Sequence, residues 1–96
     1  MPKGYWITFY RSVSNPEALA AYGKLAGPVI LAGGGRFVVR GMPAKTYEAG
    51  LKERTVVIEF ESLEKAMATF ESADYEAARK LLVGAAERDI RFVEGT

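Results

Sequence analysis

Between Gly4 and Val13 the side chains alternate, with Tyr5, Ile7 and Phe9 on one side and Trp6, Thr8 and Tyr10 on the other. A period of two, rich in aromatic and β-branched residues, predicts a first strand. Ser14-Asn15-Pro16-Glu17 then reads as a helix start: Asn15 accepts from free N–H groups, Pro16 fits the first turn, and Glu17 suits the positive end of the helix dipole. The helix runs to about Ala32 on a stripe of Leu19, Tyr22, Ala26 and Ile30. Pro28 lacks an N–H and crowds the carbonyl of Lys24, which predicts a bend near Gly27-Pro28. Gly33-Gly34-Gly35 ends the helix and turns the chain; following a helix and preceding a strand, it is not placed to cradle phosphate.

Arg36 to Arg40 predicts a second strand with Phe37 and Val39 on one face, interrupted by Gly41-Met42-Pro43. Ala44 to Glu48 reads as an edge extension before a turn around Gly50, since proline and glycine are tolerated at a sheet edge. Arg54 to Glu61 is the clearest strand, with Val56, Ile58 and Phe60 opposite Val57, Glu59 and Glu61. Ser62 caps a helix carrying Leu63, Ala66, Met67 and Phe70, and Ser72 with Asp74 restarts a second piece carrying Tyr75, Ala78, Leu81 and Leu82. After Gly84 to Asp89, Ile90 to Val93 gives a short last strand with Ile90 and Phe92 opposite Arg91 and Val93.

Strand, helix, strand, strand, helix, strand is the split β-α-β order of an α+β, ferredoxin-like domain, with a four-stranded antiparallel sheet and helices on one face. Ile7, Phe9, Phe37, Val39, Val56, Ile58, Phe60, Ile90 and Phe92 are assigned to the helix-covered face. The opposite face receives Trp6, Thr8, Tyr10, Val38, Arg40, Val57, Glu59 and Val93. That set is too apolar to lie bare in water and too charged for a core, which predicts a homodimer through the sheet face.

Composition narrows the chemistry. The 96 residues fit one domain spanning 1–96, and 49% apolar with 26% charged residues is globular rather than disordered. Thirteen basic against twelve acidic side chains leave a formal charge of +1, which offers no general attraction to nucleic acid or an anionic membrane surface. No run of about 18 apolar residues exists to span a bilayer, and the start leads into strand alternation, so the expected location is cytoplasmic. Without His or Cys the chain cannot build a thiolate nucleophile, a Ser-His-Asp triad or a structural zinc site. The expectation is no metal and no cofactor, with any chemistry resting on carboxylates, Lys, Arg, Tyr, Ser or Thr.

Several segments resemble a known family. These are Gly4-Tyr5-Trp6, Asn15-Pro16 followed by Tyr22, Gly34-Gly35-Arg36-Phe37 leading to Arg40-Gly41, Val56-Val57-Ile58-Glu59-Phe60 before Ser62-Leu63, Ser72 with Tyr75 and Ala78, and closing Val93-Glu94-Gly95. In order and spacing they look like the domain-of-unknown-function family DUF1330 of the dimeric α/β-barrel superfamily, over essentially the whole chain. The resemblance implies a ferredoxin-like protomer whose sheet packs on that of a second protomer. It assigns no reaction, although the superfamily includes cofactor-independent oxygenases acting on polyphenols or quinones, haem-degrading enzymes and small-molecule isomerases. The family pattern usually has an arginine where this chain has Leu82, so any anion-binding role of that position is in doubt here.

Arg40, Arg54 and Glu59 form the first candidate constellation. Adjacent second and third strands would bring Arg40 near Glu59, the guanidinium holding a carboxylate or enolate while Glu59 moved a proton. The competing reading is a cross-strand ion pair that fixes register. Trp6, Tyr22 and Tyr75 are candidates to line an aromatic pocket for a planar ligand, with a phenol as hydrogen-bond donor, although their spacing also suits core positions. Taken together, the catalytic candidates are Arg40, Glu59 and Tyr75, and the ligand-binding candidates Trp6, Tyr22 and Arg54. Glu59 and Glu61 share a face but lack a third partner for a cation, so solvated edge charge is the better reading. Three functions compete: a metal-independent enzyme acting on a small aromatic, quinone-like or keto-acid compound, a non-catalytic binding module using the same pocket, and a structural dimer.

Overall fold

The computed structural model describes residues 2–96. It contains β1 (Gly4–Val13), α1 (Pro16–Ala32), β2 (Arg36–Gly41), β3 (Thr55–Phe60), α2 (Leu63–Phe70), α3 (Ala73–Arg79) running into a 3-10 turn (Lys80–Leu82), and β4 (Ala86–Glu94). The strands form one sheet in the order β2-β3-β1-β4, with every neighbouring pair antiparallel. This is the ferredoxin-like α+β arrangement, with a bare sheet face and a slab thickness of 16 Å along its shortest axis.

Local chemistry sets the helix ends. Side-chain oxygens of Asn15, Ser62 and Ser72 accept from the backbone N–H groups of Ala18, Lys65 and Tyr75, satisfying donors that a helix start leaves free. At the other end of α1, Gly34 takes φ 96°, a left-handed conformation that glycine adopts without a Cβ clash. The helix continues through Pro28 as one element.

An aromatic cluster fills the layer between sheet and helices. The Trp6 ring stacks near Phe60 at 6.3 Å and meets Tyr75 and Phe70 edge-on at 4.9 and 5.3 Å. Phe92 closes the group at 5.6 Å. Such contacts add specific geometry to the burial of large apolar surface.

β1 faces the opposite way from the expectation. Trp6, Thr8 and Tyr10 are 1%, 4% and 3% exposed and point at the helices, whereas Phe9 is 40% exposed on the bare face. The register explains it: Trp6 lies opposite Ile58 and Phe92, and Thr8 opposite Val56 and Ile90. Apolarity alone favours Ile7 and Phe9 for the interior. Burial of the other row becomes tolerable because the Trp6 indole N–H donates to the Thr8 hydroxyl at 3.1 Å.

β2 changes sides through an irregularity. Phe37 pairs with Ile58, but the next pairs are Val39 with Val57 and Arg40 with Val56, so Val38 is the additional residue. One extra residue inverts every later side chain. Val39 therefore joins the bare face and Arg40 the helix side, each the reverse of its expected place. Ala44 to Glu48 forms no strand; the chain from Met42 to Arg54 is irregular and turns with Glu48 at φ 51°. β4 is longer than expected, beginning at Ala86 and placing Arg88 opposite Tyr10.

The start of β1 passes so close to α2 that a Cβ on Gly4 would collide with the backbone of Leu63 and Ser62, whereas one on Gly41 would meet nothing within 4 Å. Gly4→Ala is therefore expected to lower unfolding free energy by about 1–3 kcal/mol, as overpacking does. Gly41→Ala should change it by no more than about 0.5 kcal/mol. Urea unfolding of both variants measures the difference.

Candidate functional site

α2 lies on β1, β3 and β4, but α1 makes its close backbone approaches to α3 and the 3-10 turn. What remains between α1 and the sheet is an open-sided cavity of about 310 Å³. Its floor includes Thr8, Tyr10, Val56 and Ile58, with Trp6 at the core side, and α1 contributes Leu19, Gly23, Ala26 and Gly27 above it. Three arginines, Arg40, Arg54 and Arg88, line it, and no carboxylate does.

Strand pairing puts these cations together. Tyr10 N–H donates to the Arg54 carbonyl at 2.9 Å, and Tyr10 lies opposite Arg88. Arg54, immediately before β3, Tyr10 on β1 and Arg88 on β4 thus form one row across neighbouring chain segments spaced by about 4.8 Å. Arg40, opposite Val56 and 4.5 Å over the Phe37 ring, is one row further along. Among the described residues, none of the three has a carboxylate within ion-pair distance; the ion pairs there engage Lys3, Arg11, Arg36, Lys65 and Arg91.

Arg88 is the best-held cation. Its Nη1 donates to the hydroxyls of Tyr22 at 3.2 Å and Tyr75 at 3.3 Å, and those oxygens are 2.7 Å apart. Its guanidinium also lies 5.1 Å from the Tyr22 ring centre and 5.8 Å from that of Tyr10. Burial pushes the Tyr22 phenol well above its ordinary range and the Tyr75 oxygen adds to the effect, while Arg88 pulls it down. Burial likewise raises Tyr10 against the opposing pull of Arg88. For Arg88 itself burial works against the charge, but the Tyr75 and Tyr22 oxygens outweigh it and the guanidinium is held more firmly charged than usual. At neutral pH the cluster consists of neutral Tyr22 and Tyr10 phenols and a fixed cation.

One phenol hydrogen of the Tyr22–Tyr75 pair is used between them, and both oxygens accept from Arg88, so the other phenol hydrogen remains to be donated. Tyr75 is 0% exposed and Tyr22 lines the cavity. With Tyr75 donating to Tyr22, the Tyr22 O–H is free to reach a bound molecule.

The candidate residues therefore separate. Trp6, Tyr22, Arg40 and Arg54 line one cavity, and Tyr75 stands behind Tyr22. Glu59 does not join them. It lies on the bare face, accepting from Arg36 at 2.9 Å and from the Tyr5 hydroxyl at 3.0 Å. The expected approach of Arg40 to Glu59 fails because the register sets Arg36 opposite Glu59 and Arg40 opposite Val56, further along the strand, and the extra residue at Val38 turns Arg40 to the other side. The Arg36 hydrogen bond holds the Glu59 carboxyl below the usual carboxylate range against a smaller effect of burial, so it stays ionised at neutral pH. Glu61 pairs with Lys65 at 2.9 Å, and among the described residues no group of three acidic side chains could hold a metal ion. Among the same residues, no helix is long and apolar enough to cross a membrane.

Arg88 was not among the expected site residues, because the expected last strand begins only at Ile90. A signal was present: Arg88 is in phase with Ile90 and Phe92, two and four residues on, so extending that strand backwards points it inward.

Fold and cavity together define a ferredoxin-like protein with an arginine-lined cleft between its first helix and its sheet. The chain belongs to the family Domain of unknown function (DUF1330), whose family model matches residues 3–96. A protein of unknown function from Rhodopseudomonas palustris is similar at 19% identity and TM-score 0.73, covering 99% of this chain and 83% of that one. A dimeric ferredoxin-like protein of unknown function from Thermobifida fusca is similar at 16% identity and TM-score 0.66, covering 97% and 91%. SnoaB, a cofactor-independent oxygenase from Streptomyces nogalater, shares the fold at 8% identity and TM-score 0.69, covering 100% and 95%. No curated protein matches the sequence.

Tyr22→Phe removes one acceptor of Arg88 and the partner of Tyr75, and is expected to cost about 1–3 kcal/mol at pH 7. The folded Tyr22 pKa lies above the unfolded value of about 10, so its contribution is complete below that pH and is lost as pH rises toward the folded value. Denaturant unfolding between neutral and strongly alkaline pH should show a shallower alkaline decline in Tyr22→Phe than in the parent protein.

Proposed function

We propose that the protein is a homodimer joined through the bare face of its sheet, and that each protomer takes a small aromatic, quinone-like or keto-acid compound in the cleft under α1 without a metal ion. The observation that carries the ligand reading is the cleft itself: aromatic walls and three arginines without a carboxylate. Its volume of about 310 Å³ is at the lower end of the roughly 300–1,000 Å³ range of ligand sites. A donor phenol and uncompensated guanidinium groups favour negative charge on a ligand oxygen, so a bound phenol or enolisable ketone would ionise more readily there. That is chemistry by charge stabilisation. The cleft contains no carboxylate to act as a base, so the proton released passes to water at the open side of the cleft. The fold shared with a cofactor-independent oxygenase is consistent with this reading.

The dimer rests on the other face. Tyr5, Ile7, Val57 and the more exposed Phe9, Val39 and Val93 form its apolar part, with the Arg36–Glu59 pair among them. Pairing two such faces buries a surface that a lone protomer leaves wet.

Sedimentation equilibrium at micromolar concentration should give twice the 10.5 kDa chain mass, and Phe9→Lys with Val57→Lys should give the monomer. A parent protein that sediments as a monomer would overturn the dimer. For the ligand, quenching of Trp6 fluorescence and a rise in melting temperature are expected from aromatic acids, quinones or keto acids, and both should weaken at least tenfold in concentration dependence in Arg40→Ala. No response to any of the three classes would overturn the cleft as a ligand site.

A further inference from the structure

We infer that the compound taken by the cleft is a one- or two-ring aromatic carboxylate, bound with its acid group at the Arg54–Tyr10–Arg88 row and its ring under Gly23 and Gly27 of α1. This rests on the cleft being a ligand site, as proposed above, and goes on to name the ligand class and the residues that set its size.

Charge decides the acid group. The chain as a whole carries only +1, yet three of its arginines line one cleft without an acidic side chain among its walls. A partly buried guanidinium without an opposite charge is unfavourable unless something else satisfies it. Arg88 is satisfied on one side by two phenol oxygens, both through Nη1, and Arg54 has no side-chain hydrogen bond or ion pair among the described residues. A carboxylate supplies two acceptor oxygens and the missing charge, and it matches the planar fork of an arginine. The Tyr22–Tyr75 hydroxyl pair, with one O–H hydrogen not used between them, adds a donor beside the same row. Pro16, at the first turn of α1, lines the same cleft, so the positive end of that helix reinforces the preference for an anion.

Glycine decides the shape. Gly23 and Gly27 stand one turn apart on α1, both line the cleft, and a Cβ added at either meets nothing within 4 Å. Neither needs to be glycine for packing, and both have ordinary negative φ, so backbone strain does not require it. Glycine inside a helix is less stable than alanine. The space left by the two missing side chains is part of the cleft, above the apolar floor of Val56 and Ile58. A flat ring fits that position, with the acid group directed to the arginine row.

The test compares 2-naphthoate with its neutral isostere 2-naphthamide by calorimetric titration of the full chain. The parent protein should bind the acid at least tenfold more tightly than the amide. Arg54→Gln should remove most of that preference by weakening the acid at least tenfold more than the amide, and because Arg54 is not part of the Tyr22–Tyr75–Arg88 junction this variant should fold normally. Gly27→Ala should melt at a higher temperature without ligand yet bind the acid at least tenfold more weakly. Equal binding of acid and amide, or unchanged acid affinity in Gly27→Ala, would overturn the inference and leave the small-molecule site standing. Absence of binding by either compound, together with absence of any response to quinones and keto acids, would remove both.

Discussion

The junction of Tyr22, Tyr75 and Arg88 is the interaction on which the rest of the architecture depends. It ties α1 to α3 and to β4 through three short polar contacts among largely buried groups. A guanidinium withdrawn from water is costly unless its hydrogen-bonding capacity is met, and apolar packing of the same volume would commonly be as stable. Its structural consequence is positional. α1 is fastened sideways to α3 and the 3-10 turn, and the gap beneath it remains open over β1 and β3.

The same constraint separates the chemistry of the two sheet faces. On the helix side, unpaired guanidinium groups stand beside neutral phenols, an environment suited to accumulating negative charge. On the bare side, Glu59 is paired with Arg36 and held by the Tyr5 hydroxyl, with Lys3 at 3.9 Å, so this carboxylate already has its partners within one protomer. A carboxylate that already has its partners costs less to cover with protein than an unpaired one, whereas the arginine cleft gains from an anion. The proposed ligand site and the proposed association surface are thus separated by the thickness of the sheet.

Much of this was legible in the residues, and the failures have physical causes. Side-chain caps at Asn15, Ser62 and Ser72 and the two-residue period of Thr55–Phe60 are local signals, and the elements they predict are present. Bulges are not local. The extra residue at Val38 is defined only by the partner strand, and it turns Arg40 to the cleft side of the sheet. The inward side of β1 was misread because the hydrogen bond from Trp6 to Thr8 makes a polar row acceptable in the core, which a ranking by apolarity does not register. Residue type did direct attention to Trp6, Tyr22, Arg40 and Arg54, which share the cleft. Arg88 escaped because Glu87-Arg88-Asp89 has the composition of a turn and becomes strand only by pairing with Ser12, Tyr10 and Phe9.

A crystal structure of the assembled protein grown with 2-naphthoate tests the central claim most directly, since it reads the cleft and the association surface at once. The account requires the carboxylate within about 3 Å of a guanidinium of Arg54 or Arg88, the rings between α1 and the sheet, and the second copy on the opposite side. A cleft filled by side chains of the second copy, or an acid bound away from the arginine row, would contradict it.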